Sequence, residues 1–156
     1  ARMIEALGVN DRVKVLEVGT GSGYQTAILS FLCRRVYTIE RHRDLLRGAE
    51  ARFAEMGRHN ITTRAGDGSI GWPEQAPFTH IIVCAAGTEI PPVLADQLDI
   101  GGVMLAPVGD ERREQRIIKV IRTESGFDVD DIGPVRFLPL VAGMPDTMGQ
   151  HGRIGN

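Results

Sequence analysis

A doubly wound α/β fold is predicted, with a mostly parallel seven-stranded sheet flanked by helices and antiparallel strands at one edge. Three observations predict it. Val13, Val15, Leu16 and Val18 form a β-branched apolar run that suits a strand buried on both faces. Gly19, Gly21 and Gly23 follow directly, and after Tyr24 the apolar period becomes helical through Ala27, Ile28, Phe31 and Leu32. Strand, glycine loop and helix in that order form the ligand-binding entry of such folds. Lastly, the chain keeps alternating strand-like and helix-like stretches until residue 108, then joins its final strands through a short turn that parallel strands could not use.

The glycine loop narrows the ligand. A dinucleotide fingerprint needs glycine at the sixth position of G-x-G-x-x-G, and Tyr24 stands there, which disfavours NAD. Glu17 lies two residues before the first glycine, where a carboxylate would repel a pyrophosphate. It suits a ligand carrying an ammonium and a sulfonium, such as S-adenosylmethionine. A plain glycine turn between strand and helix is the alternative.

The remaining elements follow in order. Met3, Ile4 and Leu7 give the first helix a period, but no Ser, Thr, Asp or Asn precedes them as a cap, so the expectation is that a segment upstream is missing. The second strand, Arg35 to Glu40, ends in an acid seventeen residues after Gly23. That is near the ~20-residue spacing at which such folds set a carboxylate on ribose hydroxyls; a solvated acid at a strand end is the alternative. Leu45, Leu46, Ala49, Phe53 and Met56 line one side of the next helix, which Gly57 ends. Ile61 to Ala65 is a third strand. Gly66, Gly68 and Gly71 match G-x-G-x-x-G on paper, but Trp72 and Pro73 follow where a helix should. Asp67 and Gly68 therefore read as an adenine-side loop, or as a bare turn. Ile81 to Ala86 is a buried fourth strand, Val93 to Leu98 a short helix, Val103 to Val108 the fifth strand and Arg116 to Arg122 the sixth. Ser125 and Gly126 turn into a last strand, Asp128 to Leu140, irregular around Gly133 and Pro134. The domain is expected to span residues 1–141, with residues 142–156 a loose tail.

With 156 residues, 42% hydrophobic and 24% charged, the chain is the size and composition of one globular domain. A net charge of −2 suggests neither a nucleic-acid nor a membrane surface, and the expected state is a monomer. Cys33 and Cys84 have no framework spacing and read as buried thiols of a reducing, cytoplasmic compartment. The four histidines show no metal-ligand spacing, and no metal is expected.

Taken together, Leu16 to Tyr24, Gly66 to Gly68, Ile81 to Ala86, Gly101 to Gly109 and Val135 to Val141 resemble the protein-L-isoaspartate O-methyltransferase family, in order from Ala1 to about Val141. The resemblance implies a Rossmann-like fold and transfer of a methyl group from S-adenosylmethionine to the free carboxylate of L-isoaspartyl residues in damaged proteins and peptides. It implies that Glu17, Gly19, Thr20, Gly21 and Ser22 line the methionine end of the cofactor. Glu40, with Arg41 beside it, would bind ribose, Asp67 and Gly68 would meet adenine, and Leu138, Pro139 and Val141 would contact the substrate. The family often has a hydroxyl residue where Val141 stands. Its active-site serine belongs to a segment that would precede Ala1, so no catalytic residue is assigned within this chain, and the chain alone is expected to bind cofactor weakly and methylate poorly. A small-molecule methyltransferase on the same fold, or an inactive cofactor-binding fragment, are the competing readings.

Overall fold

The computed structural model describes residues 2–110, 112 and 114–135. Its elements are α1 (Arg2–Leu7), β1 (Lys14–Val18), α2 (Tyr24–Leu32), β2 (Arg35–Glu40), α3 (Arg43–Glu55), β3 (Ile61–Ala65), β4 (Phe78–Val83), α4 (Pro92–Ala95), β5 (Leu98–Val108), β6 (Gln115–Arg122) and β7 (Phe127–Val135). The strands form one sheet in the order β3-β2-β1-β4-β5-β6-β7. The pairs from β3 to β5 are parallel, and β5–β6 and β6–β7 are antiparallel. The expected seven strands and antiparallel edge are therefore present. Thr123 donates its amide to the Gly126 carbonyl and closes the β6–β7 turn.

Strand alternation sorts the apolar side chains onto two faces. Leu16, Val18, Ile39, Ile81 and Val83 enter one core, under Trp72, Leu94 and Leu98. Val15, Val36 and Ile82 enter the other, under Met3, Ile4 and Leu7 of α1 and Leu29 of α2. Burial on both faces is why β1 and β4 read as continuous apolar runs. Truncating a fully buried leucine such as Leu16 to alanine would cost about 2–5 kcal/mol.

Several boundaries differ from the sequence expectation. The apolar face of α2 is not the expected one. Thr26, Ala27, Leu29 and Ser30 are buried, whereas Phe31 is 62% exposed and Leu32 also faces outward. Polar Thr26 and Ser30 are inside because each has a partner there, Glu17 for Thr26 and the Ala27 carbonyl for Ser30. On α3, Leu46, Ala49 and Phe53 are buried, while Leu45 and Met56 at the ends of the expected stripe are exposed. Gly57 does end that helix. Its amide donates to the Ala54 carbonyl and that of Arg58 to Phe53, a Schellman stop. The fourth strand ends at Val83, α4 is only four residues long, and β5 begins five residues earlier than Val103, because Leu98 already pairs with Phe78. The end of the last strand beyond Val135 and the expected tail lie outside the described residues.

Candidate cofactor site

The sheet order reverses direction between β1 and β4, and open α/β sheets bind ligands outside the carboxyl ends of their strands at such a point. The glycine loop leaves β1 there. Gly19 and Thr20 both donate their amides to the Ile39 carbonyl, and Gly23 donates to Thr20, so the loop is folded against the end of β2. Gly23 has φ 85° and a Cβ there would come within 2.8 Å of the Phe53 ring, so only glycine lets α2 start this close to α3. Beside Gly21 the space is open: a Cβ there would meet nothing within 4 Å.

Glu40 closes β2 as expected and lies beside the loop. It is 6% exposed, and its Oε1 accepts the Gly21 amide at 2.8 Å while Oε2 accepts the His42 amide at 2.9 Å. A carboxylate has about four acceptor positions, so these two bonds leave capacity for hydroxyl donors. Arg41 follows at a half-buried bend. Ser22 is exposed on the loop, and its carbonyl accepts from the Arg52 guanidinium.

Asp67 and Gly68 sit past the end of β3, beside β2. Asp67 caps a 3₁₀ turn, Gly68–Ile70, accepting at Oδ1 from the Ser69 amide (2.9 Å) and hydroxyl (2.6 Å). The sequence motif at Gly66, Gly68 and Gly71 therefore opens no helix of useful length. Gly68 is there for space, because a Cβ would stand 2.4 Å from Val18 Cγ1. Gln97 anchors the far side of this loop: its Oε1 accepts the Trp72 amide and its Nε2 donates to the Ile70 carbonyl, each at 2.9 Å.

Glu17, expected at the methionine end, lies beneath the loop. It is 0% exposed, so in this structure it offers no surface to a ligand. Thr26 donates to its Oε1, Thr38 donates to the same oxygen at 2.7 Å, and Gln25 Nε2 donates to Oε2 at 3.0 Å. Burial raises its carboxyl above the ordinary range against these three hydrogen bonds, and the nearby Glu40 charge adds to the rise. Thr20, expected beside the cofactor, is also buried and bonds Thr38 hydroxyl to hydroxyl at 2.6 Å. Cys84 lies one residue past β4 and accepts from Gln25 Nε2 at 2.8 Å. Desolvation and then the Glu17 carboxylate hold its thiol well above the ordinary value. Cys33 caps the end of α2 rather than lying within it, and burial pushes its thiol up to about 11.

Thus Gly19, Gly21, Ser22, Glu40, Asp67 and Gly68 gather at one edge of the sheet, with Glu17 and Thr20 beneath it. Leu138, Pro139 and Val141 lie outside the described residues. A family model described as Protein-L-isoaspartate(D-aspartate) O-methyltransferase (PCMT) matches residues 1–144. The chain belongs to that family. Among curated members, the protein-L-isoaspartate O-methyltransferase of Rhodospirillum rubrum is 59% identical over 145 residues, covering 92% of this chain and 66% of its own length. That of Paramagnetospirillum magneticum is 54% identical over 145 residues, covering 92% and 68%. This member of the family thus spans about two thirds of the length of the relatives it matches. Among solved structures, a protein-L-isoaspartate O-methyltransferase superposes with TM-score 0.83 at 25% identity, over 90% of this chain and 46% of that one. A Plasmodium falciparum protein described as a beta-aspartate methyltransferase in complex with S-adenosyl-L-homocysteine shares the fold, with TM-score 0.75 at 22% identity, over 90% and 70%.

Sequence reasoning missed Gln25, Thr38 and Cys84. A signal existed for Thr38: in parallel register it sits opposite Glu17, and alternation puts both on the face that α2 covers.

Proposed function

We propose that this chain binds S-adenosylmethionine and carries the donor half of a methyltransferase acting on the free carboxylate of L-isoaspartyl residues in damaged proteins. The observation that carries the reading is Glu40: an acid at the end of β2, held by two backbone amides beside an open-sided glycine loop, with acceptor capacity left for the two hydroxyls of a ribose. Gly19, Gly21 and Ser22 form the wall for the methionine end, with Glu17 and Thr20 buried behind it, Arg41 flanks the ribose, and Asp67 with Gly68 forms the adenine edge. Leu138, Pro139 and Val141 are assigned to the substrate side by family resemblance. The cofactor supplies a methyl group on a sulfonium, which leaves as a neutral thioether.

The accepting carboxylate has a pKa near ~3.5–4 and is already an anion at neutral pH, so no general base is needed. The protein's part is to align the two reactants and exclude water; such orientation contributes ~7–11 kcal/mol to rate enhancement in favourable cases. This agrees with a site built of backbone amides and acceptors rather than a proton-transfer pair. The resulting ester has a better leaving group than the carboxylate, so the neighbouring amide nitrogen, losing its proton, can close a succinimide with release of methanol, and water then reopens the ring partly to aspartate. Two thiols held protonated suit a reducing cytoplasm, the net charge of −2 offers no strongly basic surface to nucleic acid or an anionic membrane, and the chain is taken to meet its peptide as a monomer. No helix among the described residues is long and apolar enough to cross a membrane.

The test is calorimetric titration of the chain with S-adenosylhomocysteine, then methyl transfer from labelled S-adenosylmethionine to paired peptides differing only in isoaspartate or aspartate. Binding, with label on the isoaspartyl peptide alone, supports the reading. No binding, or equal labelling of both peptides, overturns it.

A further inference from the structure

Beneath the glycine loop lies a buried polar cluster that nothing in the proposed chemistry uses. Strand alternation places Glu17 of β1, Thr38 of β2 and Cys84 beyond β4 on the same face of the sheet, and the first turn of α2 sets Gln25 and Thr26 over them. One arm runs from Glu17 through Thr38 (2.7 Å) to Thr20 of the loop (2.6 Å). The other runs from Glu17 through Gln25 (3.0 Å) to Cys84 (2.8 Å). Thr20 lies on the β2 side of the β1–β4 switch point, its amide on the Ile39 carbonyl, and Cys84 on the β4 side, its amide on the Val18 carbonyl. Between them, a Cβ on Gly19 would be 3.4 Å from Cys84 Cβ.

We propose that Glu17 is a positioning residue which, through Thr38 and Gln25, sets the glycine loop and the β4 end at the separation the cofactor requires, without touching the cofactor itself. This rests on the cofactor reading above. Thr38 has one hydroxyl proton. In the structure Thr38 donates that proton to Glu17 Oε1, so it takes one from Thr20. The loop hydroxyl is thereby tied down into the sheet. A buried polar chain of this kind holds one geometry, because slipping any link leaves a donor or acceptor unmatched away from water. A hydrophobic contact in the same place would resist compression but would not select a register.

The experiment compares Thr38→Val, which keeps the shape and removes the relay, with Thr38→Ser, which keeps the hydroxyl. Gln25→Leu cuts the second arm. Ile117→Val, a core trim in the β5–β6 pair, serves as a destabilised control away from the loop. Affinity for S-adenosylhomocysteine is measured by calorimetry well below each melting temperature, and exchange of the Gly21 and Gly23 amides by NMR. Thr38→Val and Gln25→Leu should each weaken binding about tenfold and speed exchange of the loop amides, with Thr38→Ser within roughly threefold of wild type. Ile117→Val should change neither. Unchanged affinity in Thr38→Val, or a loss that Thr38→Ser does not restore, overturns the proposal. If the wild-type chain binds no S-adenosylhomocysteine, the functional reading falls. The exchange comparison then decides the positioning role alone: faster loop exchange in Thr38→Val upholds it and unchanged exchange overturns it.

Discussion

Gly21 and Glu40 are joined end to end across the top of β1 and β2: the Gly21 amide donates to Glu40 Oε1 at 2.8 Å, while Oε2 takes the His42 amide at the start of α3. One carboxylate thus holds a loop and a helix entry together. Glu40→Ala leaves two backbone amides without acceptors, which costs about 1–3 kcal/mol for a buried group. The expected outcome is a lower melting temperature together with at least about tenfold weaker binding of S-adenosylhomocysteine. Glu40→Gln, which keeps one acceptor, should fall between. Calorimetry showing full affinity in Glu40→Ala would remove Glu40 from the site.

Gly68 and Val18 make a second coupled pair. The Gly68 backbone needs no left-handed φ, so the cost of Gly68→Ala is steric overlap with Val18 Cγ1 at 2.4 Å. Overpacking of this sort destabilises by about 1–3 kcal/mol. Val18→Ala opens the same space, so the double variant should be more stable than the sum of the single effects predicts, by roughly 0.5–3 kcal/mol in a double-mutant cycle. Additive denaturation energies would show that the loop moves aside instead.

The pH dependence of stability should carry the mark of Glu17. Its folded pKa lies above the ordinary 4.5 because of burial. Between the two values the native state holds a proton that the unfolded chain has released, so stability falls as pH rises, by up to ~1.4 kcal/mol per unit. The Glu17 contribution is therefore fully present below about 4.5 and is lost as pH climbs through the folded titration. The titratable groups beside it are Glu40, whose charge pushes the same way, and Cys84, whose thiol is held well above its ordinary value. Glu17→Gln removes the charge. Its melting temperature should gain on wild type as pH rises above 4.5, for as long as folded Glu17 keeps its proton. A constant difference across that range would mean that Glu17 does not titrate there.

Much of this could be read from residues in a row. A strand needs only local alternation and β-branched residues, so β2 and β3 were delimited to the residue by Arg35–Glu40 and Ile61–Ala65. The glycine loop, the acid closing β2 and the turn at Asp67 are also local patterns, and together they mark the candidate site. The family resemblance rests on the order of five segments, from Leu16–Tyr24 to Val135–Val141, and the family model bears it out. What the sequence could not show is which side chains a partner element would cover. Helical periodicity nominates Phe31 and Leu32 for the core, yet packing takes Thr26 and Ser30, because Thr26 has an acceptor in Glu17 of β1 and Ser30 one in the Ala27 carbonyl of its own helix. The same reason governs Glu17. From the chain alone it was an acid next to a charged ligand. In three dimensions it is enclosed by Gln25, Thr26 and Thr38, and only the parallel register of β1 with β2, and the seat of α2 above them, decide that. Local sequence sets where the backbone turns; burial of a polar atom depends on every element that reaches it.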